Sequence, residues 1–188
     1  MSAAPAGGRI AATTAQSPLF QRLLAQRFAM LPPAVQRLHL KQGRASYHGE
    51  VQVERGTGGL SRLCAWATRL PPAGRGPVVV DIESEGACER WTRHIGGHAM
   101  RSRLWAADGL LCEQLGLVTF GFRLDVESAS LTWTVARVRV FGVPLPVSMF
   151  ARVAARESEV DGRYTFDVRA ALPLAGDLVH YRGWLDVA

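Results

Sequence analysis

The strongest pattern in this chain is a regular alternation of apolar and polar residues. Over 118–126 every second position is apolar: Val118, Phe120, Phe122, Leu124 and Val126. Because successive side chains of a strand point to opposite faces, this spacing predicts a strand with one buried and one wet face. The same alternation returns at Tyr164, Phe166, Val168 and Ala170. The second half of the chain is therefore predicted to fold as antiparallel strands around an apolar interior.

Strands are predicted along most of the chain beyond the first helices. They are expected over 47–54, 78–83, 88–95, 98–106, 109–126 with a bend near Gly116, 130–141, 151–160, 163–172 and 178–187. Several connections contain Gly-Gly or Asp-Gly, residue pairs that tolerate the positive φ of tight hairpin turns. Long strands joined in this way twist and curl, so we expect a curved antiparallel meander, a half-barrel or barrel of about 7–9 strands.

Helices are predicted mainly before the strands. Ser17-Pro18 is typical of a helix start, and the apolar residues after it recur at the spacing of one helix face. Pro32-Pro33 is predicted to end this helix. Shorter helical segments are expected over 34–40 and 60–70. The predicted fold class is thus α+β, with N-terminal amphipathic helices packed on the meander. Residues 1–16 are predicted to be a disordered tail, and residues 17–188 a single domain.

Composition narrows the classes of function. The net charge is +6, but the arginines are scattered and Lys41 is the only lysine, so nucleic-acid binding is not predicted. Three widely spaced cysteines and the absence of C-x-x-C or H-E-x-x-H spacing predict neither a metal site nor a cofactor. The low cysteine count and the lack of a signal or membrane-spanning segment predict a cytoplasmic protein.

One candidate ligand site lies in the predicted strand at 88–95. Glu89, Trp91 and Arg93 share a face of that strand, which allows a cation–π and salt-bridged cluster. Such a cluster can anchor an anionic head group inside an apolar cavity. The alternative is a partly exposed ion pair on the edge of the sheet.

Two further groups of polar residues are candidates for the same ligand site. His180, Arg182 and Trp184 share one face of the last predicted strand, and they either line a site or face solvent. Arg156 and Glu157 could act on a ligand if burial shifted the pKa of the carboxyl group. The alternative for that pair, which we favour, is a solvent-facing ladder of charges across two strands.

The segment 140–151 is apolar and free of charge. Its two prolines exclude a central strand, so we expect a loop or short helix there. Phe141, Leu145, Met149 and Phe150 would dock on a partner or a bilayer surface if exposed, or close one end of the barrel if folded inward.

Several short motifs together resemble an uncharacterised bacterial family, domain of unknown function 4166. They are Ser17-Pro18-Leu19-Phe20, Leu31-Pro32-Pro33-Ala34-Val35, Glu89-Arg90-Trp91-Thr92-Arg93, Gly142-Val143-Pro144-Leu145-Pro146, Ala155-Arg156-Glu157-Ser158 with Asp161-Gly162-Arg163, and Tyr181-Arg182-Gly183-Trp184-Leu185. The resemblance runs from about residue 17 to 187 and implies an accessory or ligand-handling role, with no established activity.

These observations predict a protein that binds an apolar or amphipathic small molecule in a barrel-like cavity. The alternative is an accessory module that docks on a protein or a membrane surface through 140–151. A third hypothesis is an enzyme of unknown reaction. No pairing of a nucleophile with a base is evident in the sequence, so we favour binding over catalysis.

Overall fold

The computed structural model describes residues 17–188, and the tail predicted at 1–16 lies outside the described residues. Eleven antiparallel strands form one sheet within this range. They are β1 (Gly43–Arg55), β2 (Gly74–Glu85), β3 (Cys88–Ile95), β4 (His98–Ala107), β5 (Leu110–Leu115), β6 (Val118–Glu127), β7 (Ser130–Val140), β8 (Val143–Leu145), β9 (Arg152–Val160), β10 (Arg163–Leu172) and β11 (Gly176–Asp186).

The sheet closes on itself as a barrel. β1 pairs with both β2 and β11, and the two arms of the sheet meet where β6 pairs with β7 along their lengths. Ten strands take part in the ring, and β8 pairs only with the end of β7. Closure removes the exposed edges that an open sheet of this size would present.

The number of strands exceeds the prediction of about 7–9. The segment 109–126 is two strands, β5 and β6, because the chain reverses at Gly116 and Leu117 rather than bending. Gly116 has a φ of +54°, and a Cβ there would lie 2.5 Å from the carbonyl oxygen of Ala67. The edge strand β8 accounts for the second additional strand, and its position agrees with the exclusion of a central strand by the prolines.

The interior holds the alternating apolar positions that the sequence predicts. Phe120, Phe122 and Leu124 of β6 are buried, as are Tyr164 of β10 and Tyr181 of β11. Phe120 and Phe122 of β6 border the same interior space as Phe166 and Val168 of β10, so the two predicted alternating segments face one interior. The central prediction of an apolar interior shared by neighbouring strands is therefore confirmed.

Three short helical segments close one end of the barrel. They are α1 (Leu19–Leu24), a 3₁₀ helix (Ala25–Met30) and α2 (Pro33–Leu40). Phe20 of α1 is fully buried and packs on Trp133 of β7 at 5.6 Å between ring centroids. The helix starts near Ser17-Pro18 as predicted, but Ser17 does not cap it, because Pro18 holds the N-cap position and no side chain caps the helix. The predicted continuous helix is interrupted at Ala25, which has a φ of 50°.

The opposite end carries a fourth helix, α3 (Gly59–Ala67), between β1 and β2. The serine hydroxyl of Ser61 donates a hydrogen bond to the carbonyl oxygen of Asp177 at the start of β11. The helix is amphipathic as predicted, but Ser61 and Ala65 form its buried face, whereas Leu60 and Leu63 are exposed. A 3₁₀ helix (Val147–Phe150) after β8 lies at this same end.

Candidate functional site

The barrel encloses a cavity of about 450 Å³. Its walls are mostly apolar side chains from the inner faces of the strands, among them Val80, Phe120, Phe166, Val168 and Ala170. In barrels of about eight strands the inward side chains fill the interior, and additional strands widen it. A ring of ten strands therefore leaves room in the centre, and the volume lies within the range of about 300–1,000 Å³ that is typical of small-molecule sites.

The cavity reaches the surface at the α3 end of the barrel. Its lining includes Leu60 and Leu63 of α3, Met149, and Leu174 of the β10–β11 turn. Each of these side chains is also exposed to solvent. At the other end, fully buried Phe20 and the packed α1 and α2 helices close the barrel. Access to the cavity is thus through the end that α3 partly covers.

Polar side chains occupy two parts of the otherwise apolar wall, on opposite sides of the ring. Arg93 of β3 lies in the lining with a side chain only 12% exposed, and it forms an ion pair with Glu113 of β5 at 3.3 Å. Its guanidinium group also donates a hydrogen bond to the hydroxyl of Ser102 at 3.0 Å. The same group lies 5.0 Å from the ring centroid of Trp91. The predicted cation–π contact is therefore present, whereas the carboxylate partner of Arg93 is Glu113 and not Glu89.

A second polar group stands across the interior on β9 and α2. Glu157 lines the cavity, and its Oε2 atom lies 2.6 Å from Nε2 of His39. The Tyr164 hydroxyl also hydrogen-bonds to Glu157. Both members of the His39–Glu157 pair are buried, so the prediction of a solvent-facing charge ladder is wrong for Glu157. Its position follows from the alternation of side chains along β9, in which every second residue, Val153, Ala155 and Glu157, points inward.

The two buried tyrosines of the cavity wall remain protonated at neutral pH. Burial raises the pKa of Tyr181 to about 12, and nearby Glu113 and Glu157 contribute in the same direction. Burial and the negative charge of Glu157 raise the pKa of Tyr164 well above its usual value. Both side chains therefore present hydroxyl groups, and not phenolates, to the cavity.

Glu89 shares the inner face of β3 with Trp91 and Arg93 but lies towards the N-terminal helices, outside the cavity lining. Its Oε2 accepts a hydrogen bond of 2.8 Å from Nε1 of Trp91. Burial raises the pKa of Glu89, and the charge of Glu157 adds to this, while His39 and the Trp91 hydrogen bond oppose it. The residue is therefore a buried carboxyl group that supports Trp91 without facing the cavity.

One polar atom of the cavity wall has no partner. Trp133 of β7 is 4% exposed and lines the cavity, and its Nε1 has no hydrogen-bond acceptor among residues 17–188. A buried donor without an acceptor carries a desolvation cost of about 1–3 kcal/mol. The atom is itself enclosed by neighbouring groups, so it is not exposed to the cavity space.

The remaining predicted site residues lie on the outside of the barrel. Arg156 is exposed on β9, while His180, Arg182 and Trp184 project from the outer face of β11, where His180 lies 3.0 Å from Asp167. Successive side chains of β11 point to opposite faces, so these three residues face outward while Tyr181 and Leu185 occupy the inner face of the same strand. The structure thus brings together Trp91, Arg93 and Glu157 around the interior and separates them from the outer group.

The sequence interpretation missed four residues of this interior polar group. The sequence predicts Tyr164 only as one of the alternating apolar positions, and it predicts no role in the site for Tyr181, Glu113 or His39. The signal for Glu113 is present in the alternation Leu111, Glu113, Leu115, which turns the carboxylate inward with its neighbours. His39 follows buried Leu38 on the inner face of α2.

The four candidate residues of the 140–151 segment have different environments. Phe150 is buried and packs edge-on against Phe120, with ring centroids 6.0 Å apart. Leu145 and Met149 line the cavity, whereas Phe141 is 75% exposed. The segment therefore both closes part of the barrel end and exposes apolar surface there.

The sequence matches a family model over most of its length. The model is described as a domain of unknown function (DUF4166), and the match covers residues 31–185. The chain belongs to this family, which confirms the resemblance seen in the motifs. No curated protein matches the sequence. Within residues 17–188 no helix has the length and apolar character needed to cross a bilayer, and no group of side chains is arranged to hold a metal ion.

Proposed function

We propose that this member of the DUF4166 family binds an apolar or amphipathic small molecule in the interior of its barrel. The observation that carries the proposal is the apolar cavity of about 450 Å³, which opens at the α3 end and contains two localised polar groups. Burial of an apolar ligand there is favourable by about 25 cal/mol for each Å² of apolar surface removed from water. The polar groups would then fix the orientation of the ligand.

The charges of the cavity favour a ligand whose polar group is uncharged. Arg93 is already neutralised by Glu113, and Glu157 adds a second carboxylate to the lining. A ligand carboxylate would have to compete with Glu113 for the only arginine among the lining residues. A hydroxyl, carbonyl or ester oxygen meets no such competition, since it can pair with the hydroxyl groups of Tyr164 and Tyr181 in the cavity wall.

The first experiment measures whether binding occurs in the cavity. Titration with a neutral, environment-sensitive dye such as Nile red is expected to saturate at one dye per chain, and native mass spectrometry is expected to show molecules that co-purify. Ala170→Phe places a ring in the cavity and should abolish both signals. Arg123→Phe adds the same ring to the exposed face of β6 and should leave them unchanged. Equal binding by the Ala170→Phe variant would overturn the proposal.

The second experiment tests the polar end of the ligand. A long-chain alcohol should displace the dye more effectively than the carboxylate of equal chain length. Tyr181→Phe retains the ring and removes the hydroxyl group, so affinity for the alcohol should fall by about 3- to 10-fold, while affinity for an alkane stays constant. Preference of the wild-type protein for the carboxylate would contradict an uncharged head group.

An enzymatic role is the second candidate, and the position of Glu157 supports it. The carboxylate lines the cavity and contacts both His39 and the Tyr164 hydroxyl, an arrangement suited to proton transfer with a bound molecule. A bound ligand should then exchange a carbon-bound hydrogen for deuterium in heavy water and gain mass, and Tyr164→Phe should stop that exchange without preventing binding. An unaltered ligand mass would favour simple binding.

A further inference from the structure

The turns around the cavity mouth form one continuous rim. The amide of Leu117, in the β5–β6 turn, donates to the carbonyl oxygen of Ala67 at the end of α3, at 3.2 Å. The amide of Phe141, in the β7–β8 turn, donates to the carbonyl oxygen of Leu117 at 3.0 Å. On the other side of α3, the Ser61 hydroxyl donates a hydrogen bond to the carbonyl oxygen of Asp177, at the start of β11 next to the β10–β11 turn. Four separate parts of the chain are thus joined at a single end of the barrel.

Large apolar side chains project from this rim into solvent. Trp66 of α3 is 71% exposed, Phe141 is 75% exposed and Leu174 is 86% exposed. Leu63, Leu117 and Val143 are also exposed in the same connections. Single exposed apolar residues are ordinary, but a cluster on adjoining turns marks a contact surface. Leu63 and Leu174 belong to the cavity lining as well, so this surface is continuous with the interior.

The charges at this end are almost all positive. The segments 55–76, 96–101, 114–119, 139–152 and 169–177 contain eight arginines and one carboxylate, Asp177. Arg75, Arg152 and Arg169 have ion-pair partners, and Arg55 donates to backbone carbonyls. Arg62, Arg69, Arg101 and Arg139 are exposed and form no ion pair with a carboxylate among residues 17–188. Apolar side chains are therefore surrounded by arginines whose charge is not balanced locally.

We infer that this rim docks on the surface of an anionic lipid bilayer. Aromatic and aliphatic side chains ringed by basic residues match the interfacial region of such a bilayer, where the apolar groups enter the acyl boundary and the arginines meet the phosphates. Docking in this orientation places the cavity mouth against the lipid. An apolar molecule then passes between bilayer and cavity without crossing water. The proposal needs only the rim, so it stands or falls separately from ligand binding.

Flotation with vesicles tests the docking. The protein is expected to float with vesicles of phosphatidylcholine containing phosphatidylglycerol, to float poorly with pure phosphatidylcholine, and to be released by high salt. The emission of Trp66, measured by difference from Trp66→Ser, should shift to the blue on binding. Arg62→Gln and Arg139→Gln should each weaken binding by about five-fold.

The decisive comparison uses two sets of serine substitutions. Trp66→Ser, Phe141→Ser and Leu174→Ser together should reduce vesicle binding by more than about ten-fold. Met30→Ser with Val160→Ser removes exposed apolar groups elsewhere on the barrel and should have no effect. Near-identical thermal unfolding of both sets shows that folding is not the cause. The proposal is overturned if the wild type fails to bind the anionic vesicles, or if the triple variant binds them equally well. It is also overturned if sedimentation shows a wild-type dimer that the triple variant abolishes, because the rim would then contact a second copy of the chain.

The cavity-filled variant separates this proposal from the proposed function. Ala170→Phe leaves the rim unchanged, so it should bind vesicles as wild type does while it loses the dye. Vesicle binding without dye binding by the wild-type protein would refute the ligand proposal alone. Dye binding without vesicle binding would refute the docking alone.

Discussion

Nε2 of His39 lies 2.6 Å from Oε2 of Glu157, and this buried contact joins helix α2 to strand β9. The two residues are separated by 118 positions along the chain. The contact ties the helical end of the barrel to its wall, and through Glu157 it reaches the cavity. Ala34 of α2 is attached to the same strand, since its amide donates to Glu159 at 2.6 Å.

Removal of one partner of this pair should be costly. His39→Leu leaves Glu157 without its main partner in a buried site, and we expect a loss of about 3–5 kcal/mol in the free energy of unfolding. The double variant His39→Leu with Glu157→Leu should recover much of this loss, because no uncompensated carboxylate remains. Urea unfolding of the wild type, His39→Leu, Glu157→Leu and the double variant gives the coupling energy between the two residues. Strictly additive losses would show that the contact contributes nothing specific.

Glu89 should make stability depend on pH in a defined direction. Because burial raises its pKa in the folded state above the ordinary 4.5, the folded protein binds the proton more tightly than the unfolded chain. The associated stability is fully present below the unfolded pKa and is lost as pH rises through the folded pKa. Glu89→Gln removes this dependence. Relative to that variant, the wild type should lose up to about 1.4 kcal/mol per pH unit within this window.

The measurement is the difference in unfolding free energy between wild type and Glu89→Gln at a series of pH values. Glu85→Gln, on exposed Glu85 of the neighbouring strand, serves as the control and should show no comparable trend. If the unfolding free energy of the wild type rose relative to that of Glu89→Gln as the pH increased, the result would contradict a raised pKa of Glu89.

Gly49 should not tolerate a methyl group. A Cβ at Gly49 would lie 1.8 Å from the carbonyl oxygen of Trp184, because β1 and β11 approach closely at this point. Gly49→Ala should therefore cost more than about 3 kcal/mol, beyond ordinary overpacking, since a strand backbone has to move. A Cβ at Gly76 on the neighbouring strand meets nothing within 4 Å, so Gly76→Ala should be neutral or slightly stabilising. Thermal unfolding compares the two, and similar melting temperatures would refute the close approach.

Adjacent alanines in β10 should respond in opposite ways to added volume. Ala170 lines the cavity, whereas Ala171 is fully buried and is not part of the lining. Ala170→Leu fills empty space and should be neutral or stabilising. Ala171→Leu has no space to fill and should cost about 1–3 kcal/mol. Chemical unfolding measures both, and equal destabilisation would mean that the interior near Ala170 is already packed.

The alternation of apolar residues was sufficient to predict most of the wall. Phe120 and Phe166 lie inside because side chains on regular strands change face at each residue, and this rule acts locally. Closure of the ring could not be predicted in this way, since the pairing of β6 with β7 depends on the twist accumulated over all the strands. The division of 109–126 was missed because Gly116-Leu117 lacks the Asp-Gly or Gly-Gly pattern that marked other turns.

The site was predictable only where its residues share one strand. Trp91 and Arg93 could be assigned to the same face from their spacing, and both lie at the cavity wall. The Arg93–Glu113 pair joins β3 to β5, and the His39–Glu157 pair joins a helix to a strand. Such contacts depend on the register between elements, which the sequence of one element does not determine. Arg182 and Trp184 show the same limit, because the pattern identified their shared face but not its direction.

The pairing of β6 with β7 makes the barrel a closed ring, and this determines which routes lead into its interior. A ring of hydrogen-bonded strands cannot widen without breaking all the hydrogen bonds between two neighbouring strands, so the wall keeps its diameter. Access to the interior is therefore confined to the α3 end, where only a short helix and several turns have to shift. For the proposed ligand, the rates of entry and release should accordingly be governed by the motions of α3 and the adjoining turns. The rigid wall should govern which molecular shapes fit.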